Sequence, residues 1–172
     1  MIRLATKNDI AAVAESYDQL LKHEQINGGF SNWILGVYPT IQVAEETVEN
    51  GTMYVLDNDG EICASMIINN EQADEYGYID WLYPAEKEKV LVVHTLCIPP
   101  KSARKGYGKQ MVEFAKDFAK KSGCDVIRID TYAQNEPAKS LYQKCGFRIA
   151  GYHEALLHGL ILEELAFLEY KL

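Results

Sequence analysis

A basic, glycine-containing turn separates an apolar segment from an amphipathic one near the middle of the chain. Residues 101–109 read KSARKGYGK, and residues 99–112 contain no acidic side chain. Backbone N–H groups at the start of a helix lack intrahelical partners and carry the positive end of its dipole. Glycines let the oxygens of a ligand approach the backbone closely. The turn therefore predicts a site for a phosphate or another anion.

Two familiar phosphate-loop patterns do not fit this turn. The Walker A pattern needs Gly at 103 and Ser or Thr at 110, where Ala103 and Gln110 stand. The dinucleotide fingerprint needs a third Gly at the position of Met111. A nucleotide-binding α/β domain thus stays only as an alternative, as does a basic turn that merely caps a helix.

A second segment about thirty residues later carries a proton donor. Residues 135–147 read NEPAKSLYQKCGF. Taken alone, they predict a short capped helix with Leu141 and Phe147 in the core, closed by Gly146. Tyr142 lies on this helix, where its phenol could either pack or serve as a general acid.

Together the two segments resemble the GNAT superfamily of acyl-CoA-dependent N-acetyltransferases. Its first motif is Gln/Arg-x-x-Gly-x-Gly/Ala, which Gly106 and Gly108 match, whereas Ala103 departs from the Gln/Arg position. Its second motif is Asn-x-x-Ala-x-x-Leu-Tyr-x-x-x-Gly-Phe, and residues 135–147 match every named position. The resemblance spans roughly residues 90–147.

The resemblance implies a single GNAT-type α/β domain over residues 1–172. Its mixed, mostly antiparallel sheet would be splayed at the acetyl-CoA site and would carry helices on both faces. It also implies an N-acetyltransferase that uses acetyl-CoA as co-substrate and no metal, with Tyr142 protonating the departing thiolate. The implied coenzyme contacts are Leu96, Cys97, Ile98, Arg104, Lys105, Gly106, Tyr107, Gly108, Lys109 and Asn135.

Aminolysis of a thioester also needs a base, because a lysine-like amine has a pKa of ~10.4 and is mostly protonated near neutrality. Side chains alternate along a strand, so His94 shares a face with Leu96 and Ile98. Some GNAT enzymes place a His or Glu on this strand, and His94 is our candidate base. The alternative is a histidine hydrogen-bonded within the sheet.

Two further segments resemble those that line the acceptor groove in this family. They contain Trp33, Asp80, Trp81 and Tyr83. Aromatic rings beside a carboxylate could hold a cationic amine, or these residues could simply pack in the core. The acceptor would be an amine on a small molecule or a peptide.

Hydrophobic periodicity predicts the elements that position these residues. We expect helices after Thr6, over 41–49, over 107–121 and over 137–144. We expect strands over 52–56, 61–68, 90–98 and 126–131, with two more after residue 147. The first two strands would form a hairpin around the DNDG sequence at 57–60, and residues 69–89 would be irregular.

Composition limits the partners. The net charge of −8 over 172 residues argues against a nucleic-acid partner, and no apolar stretch approaches the ~20 residues of a membrane span. The four cysteines form no C-x-x-C pair, which favours a reducing, cytoplasmic location. His23, His153 and His158 show no metal-site spacing. The apolar tail, residues 155–172, could join a homodimer sheet. A catalytically inactive acyl-CoA sensor or interaction module is the rival function.

Overall fold

The structure is a computed structural model that describes residues 1–157 and 159–172, so His158 lies outside the described residues. The chain divides into two compact units. Unit 1 comprises Met1–Gly29, Trp33–Ile68 and Thr95–Met111, and unit 2 comprises Phe30–Asn32, Asn69–His94 and Val112–Leu172. Within the described residues, no helix combines the length and apolar character needed to cross a membrane. The single domain over 1–172 stays a prediction.

The described residues form four α-helices and seven strands. The helices are α1 (Ile10–Asn27), α2 (Ile41–Glu49), α3 (Tyr107–Lys121) and α4 (Glu136–Lys144). The strands are β1 (Ile2–Leu4), β2 (Met53–Asn58), β3 (Glu61–Asn69), β4 (Val90–Cys97), β5 (Val126–Tyr132), β6 (Arg148–Leu157) and β7 (Ile161–Lys171). Short 3-10 helices cover Lys7–Asp9, Asp74–Tyr78, Lys87–Lys89 and Pro100–Ser102.

Unit 1 holds an antiparallel β1-β2-β3 arrangement with α1 and α2. Asp59 and Gly60 join β2 to β3 with φ of +54° and +90°, the positive pair that a tight hairpin turn requires. The apolar face of α1 packs Val13 and Tyr17 against Met53 in a core cluster. The predicted hairpin is therefore confirmed.

Unit 2 holds the strand order β4-β5-β7-β6. β4 and β5 are parallel, whereas β5–β7 and β6–β7 are antiparallel, so the predicted mixed, mostly antiparallel α/β fold is confirmed. The parallel register runs only from Val90↔Val126 to Val93↔Ile129. His94 and Asp130 follow that last pair directly, where the two strands stop pairing inside unit 2.

One core cluster of unit 2 lies against one face of these strands. Phe167 of β7 is fully buried and meets the ring of Tyr76 edge-on at 5.1 Å between centroids. Trp81 lies 5.6 Å from the same tyrosine ring. Val90 and Val92 complete the cluster from β4. Segment 69–89 contains little regular structure, but its aromatic residues pack it against the strands of unit 2.

Strand β1 was not predicted, because three residues are too few to show a period of two. The expected start of the first helix differs in detail: Thr6 and Asp9 form a capping box, but on a 3-10 turn that precedes α1. The backbone N–H of Thr6 donates to Asp9 Oδ2 at 2.7 Å. The remaining boundaries agree within about two residues, the usual uncertainty of helix and strand ends.

Candidate functional site

The basic turn in unit 1 has the backbone geometry of an anion cradle. Arg104 and Gly106 adopt positive φ values of +61° and +78°, and α3 begins at the next residue, Tyr107. Alternation of left-handed and ordinary backbone turns successive N–H groups toward one side, as in known anion nests. A Cβ built on Gly106 would meet no atom within 4 Å, so the space beside this residue is open.

The charges of the turn also suit an anion. Lys101 pairs with Glu61 at 2.8 Å, and this contact raises the pKa of the lysine and lowers that of the glutamate. Arg104, Lys105 and Lys109 are exposed and form no ion pair among the residues that the structure describes. Three free cations beside unpaired helix N–H groups fit a diphosphate.

The end of β4 combines alternating burial with a backbone irregularity. Leu96 and Ile98 are half-buried, whereas the Cys97 side chain is fully buried in unit 1. Burial raises the pKa of the Cys97 thiol to about 12, which leaves it unreactive, so only its backbone is suited to contact a ligand. Thr95 has a φ of +48° and its hydroxyl lies 2.5 Å from the Tyr38 hydroxyl. A β-branched residue with this φ is a strained outlier of the kind that clusters at functional sites.

Helix α4 in unit 2 holds the phenol of Tyr142. The Asn135 side-chain oxygen caps the helix by accepting from the Ala138 N–H at 3.1 Å. Gly146, with a φ of +92°, closes it, and Lys116 of α3 donates to the Cys145 carbonyl. Tyr142 is only 5% exposed. Burial, followed by the charge of Asp130, raises the pKa of Tyr142, so the phenol keeps its proton at neutral pH and is available as a donor.

Polar groups gather in unit 2 where β4 and β5 stop pairing. The Tyr76 hydroxyl donates to Asp130 Oδ2 at 2.6 Å. Burial raises the pKa of Asp130, and the hydrogen bond from Tyr76 opposes that rise. His94 Nε2 lies 2.8 Å from Asn69 Oδ1. An amide oxygen only accepts, so in this contact Nε2 carries the hydrogen.

An open cavity of about 560 Å³ lies in unit 2 against segment 72–85. Two of the four residues predicted to contact the acceptor, Asp80 and Trp81, line this cavity. Tyr83 is not among the lining residues, and its backbone binds Glu169 and Arg128 instead. The lining residues are Gln72, Tyr76, Gly77, Ile79, Asp80, Trp81, Pro84, Ala85 and Arg128.

The other predicted side chains have separate surroundings. Trp33 packs against the core of unit 1 and meets the ring of Tyr38 edge-on at 5.9 Å. His23 contacts Asn27, and His153 stacks on Tyr78 at 4.8 Å. Within residues 1–157 and 159–172, no group of three or more His, Cys, Asp or Glu side chains could hold a metal ion.

Sequence reasoning missed the polar residues that β5 and β7 bring into unit 2. Arg128 and Asp130 stand two apart in an otherwise apolar strand and therefore share one face. Glu163 and Glu169 interrupt the buried face of β7 in the same way. Glu163 accepts from Asn32 at 2.9 Å, and burial raises its pKa. Charged residues at even spacing inside a buried strand were the available signal.

Comparison with known proteins gives the family. The model of the acetyltransferase (GNAT) family matches residues 18–147. The chain is 30% identical over 139 residues to the N-acetyltransferase YvbK of Bacillus subtilis, covering 81% of this chain and 77% of YvbK.

Solved structures agree on the fold. A GNAT-family acetyltransferase from Streptococcus agalactiae superposes with a TM-score of 0.81 at 18% identity, covering all of this chain and 95% of the other. The acetyltransferase yncA from Salmonella typhimurium, whose structure holds its cofactor acetyl-CoA, gives a TM-score of 0.67 at 18% identity, with 99% and 92% of the two chains covered. The family predicted from the two sequence motifs is confirmed, and the chain belongs to the acetyltransferase (GNAT) family.

Proposed function

We propose that this acetyltransferase moves the acetyl group of acetyl-CoA onto a primary amine, with Tyr142 as the general acid. Acetyl-CoA is the co-substrate that the family uses. The observation that supports turnover is the placement of Tyr142 on helix α4, which Asn135 caps and where the nearly buried phenol stays protonated at neutral pH. A sensor that only binds acyl-CoA would have no need of such a donor.

The proposed step is direct attack. The neutral amine nitrogen forms a bond to the thioester carbonyl carbon, and the C–S bond breaks as the intermediate collapses. The sulfur leaves as a thiolate and takes the Tyr142 proton, while a base removes the extra proton from nitrogen. Backbone N–H groups at Leu96 and Ile98 are the proposed contacts of the carbonyl and pantetheine. Residues 104–109 would hold the diphosphate, and Asn135 caps the helix that presents Tyr142.

The function is tested by release of CoA. Purified protein is incubated with acetyl-CoA and a mixed panel of primary amines, and free thiol is measured with a chromogenic reagent. Amine-dependent thiol release supports the enzyme. Tight binding of acetyl-CoA by calorimetry without release above the amine-free rate would favour the rival sensor module.

His94→Ala is expected to lower kcat with little change in the acetyl-CoA KM. An imidazole ordinarily titrates near ~6.5, so the decline in rate on the acid side of the profile should be lost if His94 is the base. The measurement is a pH–rate profile between pH 5 and 9, a range of about two units around that value. His153→Ala, which removes a histidine stacked on Tyr78, is the matched control. An unaltered acid limb in His94→Ala would exclude His94 as the base.

Gly106→Ala is expected to raise the acetyl-CoA Kd about fivefold or more. A left-handed backbone conformation costs alanine roughly 1–2 kcal/mol more than glycine. The turn in the variant would therefore relax away from the geometry that directs its backbone N–H groups toward one side. Calorimetry with acetyl-CoA measures the effect. Gly51→Ala is the control, because Gly51 has a similar φ of +67° and equally open surroundings. Equal affinity in both variants would argue against a diphosphate at this turn.

Further properties stay proposals. The acceptor groove is proposed to include Trp33, Asp80, Trp81 and Tyr83. A homodimer through the apolar tail would cover Leu156, Leu160 and Leu162, each more than half exposed. A cytoplasmic location is proposed because the four cysteines are free and buried.

A further inference from the structure

Arg128, one of the residues that line the unit 2 cavity, is a buried arginine. Arg128 is 5% exposed and lies 4.1 Å from the centre of the Trp81 ring. One terminal nitrogen donates to Gln72 Oε1 at 2.5 Å, and the other to the Tyr83 carbonyl at 3.2 Å. Both acceptors are neutral. Arg128 Nε is buried and has no hydrogen-bond partner among the described residues.

The strand register sets Arg128 opposite a carboxylate that is paired with another arginine. Arg128 lies opposite Glu169 on β7, and Glu169 lies opposite Arg148 on β6, so one carboxylate faces two guanidiniums. Glu169 is already engaged, since it accepts from Arg148 and from the N–H groups of Leu82 and Tyr83. Among the residues that the structure describes, no carboxylate forms an ion pair with Arg128. Burial lowers the pKa of Arg128, yet a guanidinium keeps its proton.

A buried charge without a counter-charge is costly, and proteins normally pair it. Arginine offers a planar set of donors that suits a carboxylate or phosphate. The same cavity is lined by the exposed Asp80, which suits a cation, and by Tyr76, whose hydroxyl binds Asp130. A ligand with a negative group for Arg128 and a positive group for Asp80 would match the charges of this cavity.

We propose that Arg128 binds the carboxylate of the acceptor, so that the substrate class is an amine carrying a carboxylate, such as an amino acid. This inference rests on the proposed function, because it assigns the cavity to the acceptor. In the bound state the ligand carboxylate supplies the negative charge that Glu169 cannot provide to both arginines. The Trp81 ring, 4.1 Å from the guanidinium carbon, helps to hold the arginine side chain in place.

Gln72→Glu tests the proposal by placing a carboxylate of the chain itself where Gln72 Oε1 accepts from Arg128. Amino acids and their carboxamides form matched acceptor pairs, and the measured quantity is the ratio of their kcat/KM values. We expect the wild type to favour the carboxylate form about tenfold or more, the usual value of a charge-assisted hydrogen bond. In Gln72→Glu the ratio should fall to about one or below. Gln42→Glu adds the same charge on exposed α2 and should keep the wild-type ratio.

A binding measurement separates this inference from the catalytic proposal. Unreactive benzoate and benzamide are titrated into ¹⁵N-labelled protein, and the Arg128 Nε–H resonance is assigned by its loss in Arg128→Lys. Benzoate should shift that resonance and benzamide should not. A shift without turnover of any amine would keep the anion site and overturn the proposed function.

The opposite results overturn the inference alone. Turnover with equal kcat/KM for the carboxylate and carboxamide forms would overturn it. A wild-type preference for the carboxylate form that survives in Gln72→Glu would overturn it as well, and so would an Arg128 resonance that benzoate does not shift. Arg128 would then serve only to fasten segment 72–83 to the sheet.

Discussion

Tyr142→Phe is expected to lower kcat by roughly ten- to a thousandfold while the acetyl-CoA KM stays near the wild-type value. The substitution removes one oxygen from a side chain that is 5% exposed, so packing against Phe147 is retained. The departing thiolate loses its proton donor, but the turn that would hold the diphosphate is untouched. Steady-state kinetics with a saturating amine measures both constants.

The pH dependence sharpens this prediction. Burial, the charge of Asp130 and that of Cys145 all raise the pKa of Tyr142 above its ordinary value. A raised pKa keeps the phenol protonated through neutral and mildly alkaline pH. Titration of Tyr142 should therefore cause no change of kcat with pH below about pH 10. Tyr152→Phe, at a tyrosine that is 47% exposed, is the control and should leave kcat unchanged. Wild-type turnover by Tyr142→Phe would remove Tyr142 from the mechanism.

Much of the fold could be predicted because its signals are local. Helix α3 was predicted with its actual bounds from the spacing of residues such as Met111 and Ala115. The hairpin was predicted from the DNDG sequence at 57–60, because Asp-Gly pairs favour tight turns, and Asp59 and Gly60 adopt the positive φ values that such a turn needs. By contrast, β1 is stabilised through its partner β2, with Arg3 opposite Val55, and no local pattern reports that pairing.

The candidate site was predictable only where it follows a motif. Gly106 and Tyr142 belong to continuous segments whose spacing is visible in the sequence. The cluster around Arg128, Asp130 and Glu169 is assembled by register between strands distant in the chain. A single sequence gives the alternation of these residues but not which strand lies beside which. Their partners, such as Tyr76 in an irregular segment, could not be anticipated.

Glu169 illustrates how much stability such a hidden cluster can carry. Its side chain is fully buried, pairs with Arg148 and accepts from two backbone N–H groups of segment 82–83. Glu169→Ala would leave those N–H groups without this acceptor and Arg148 without its carboxylate. Arg148 is 41% exposed, so water can solvate it in the variant, and the main loss is that of the buried acceptor. We expect a decrease of about 1–3 kcal/mol in the free energy of unfolding.

Urea denaturation of the wild type and of Glu169→Ala measures this difference. Glu164→Ala is the matched control on the same strand, because Glu164 is exposed, and it should change stability by less than about 0.5 kcal/mol. Glu169→Gln retains an acceptor oxygen for segment 82–83 but not the negative charge. Its free energy of unfolding should therefore lie between those of the wild type and Glu169→Ala. A Glu169→Ala variant within about 1 kcal/mol of the wild type would show that Arg148 and segment 82–83 find other partners. It would also weaken the proposed carboxylate site, which depends on Glu169 being engaged by Arg148 and by segment 82–83.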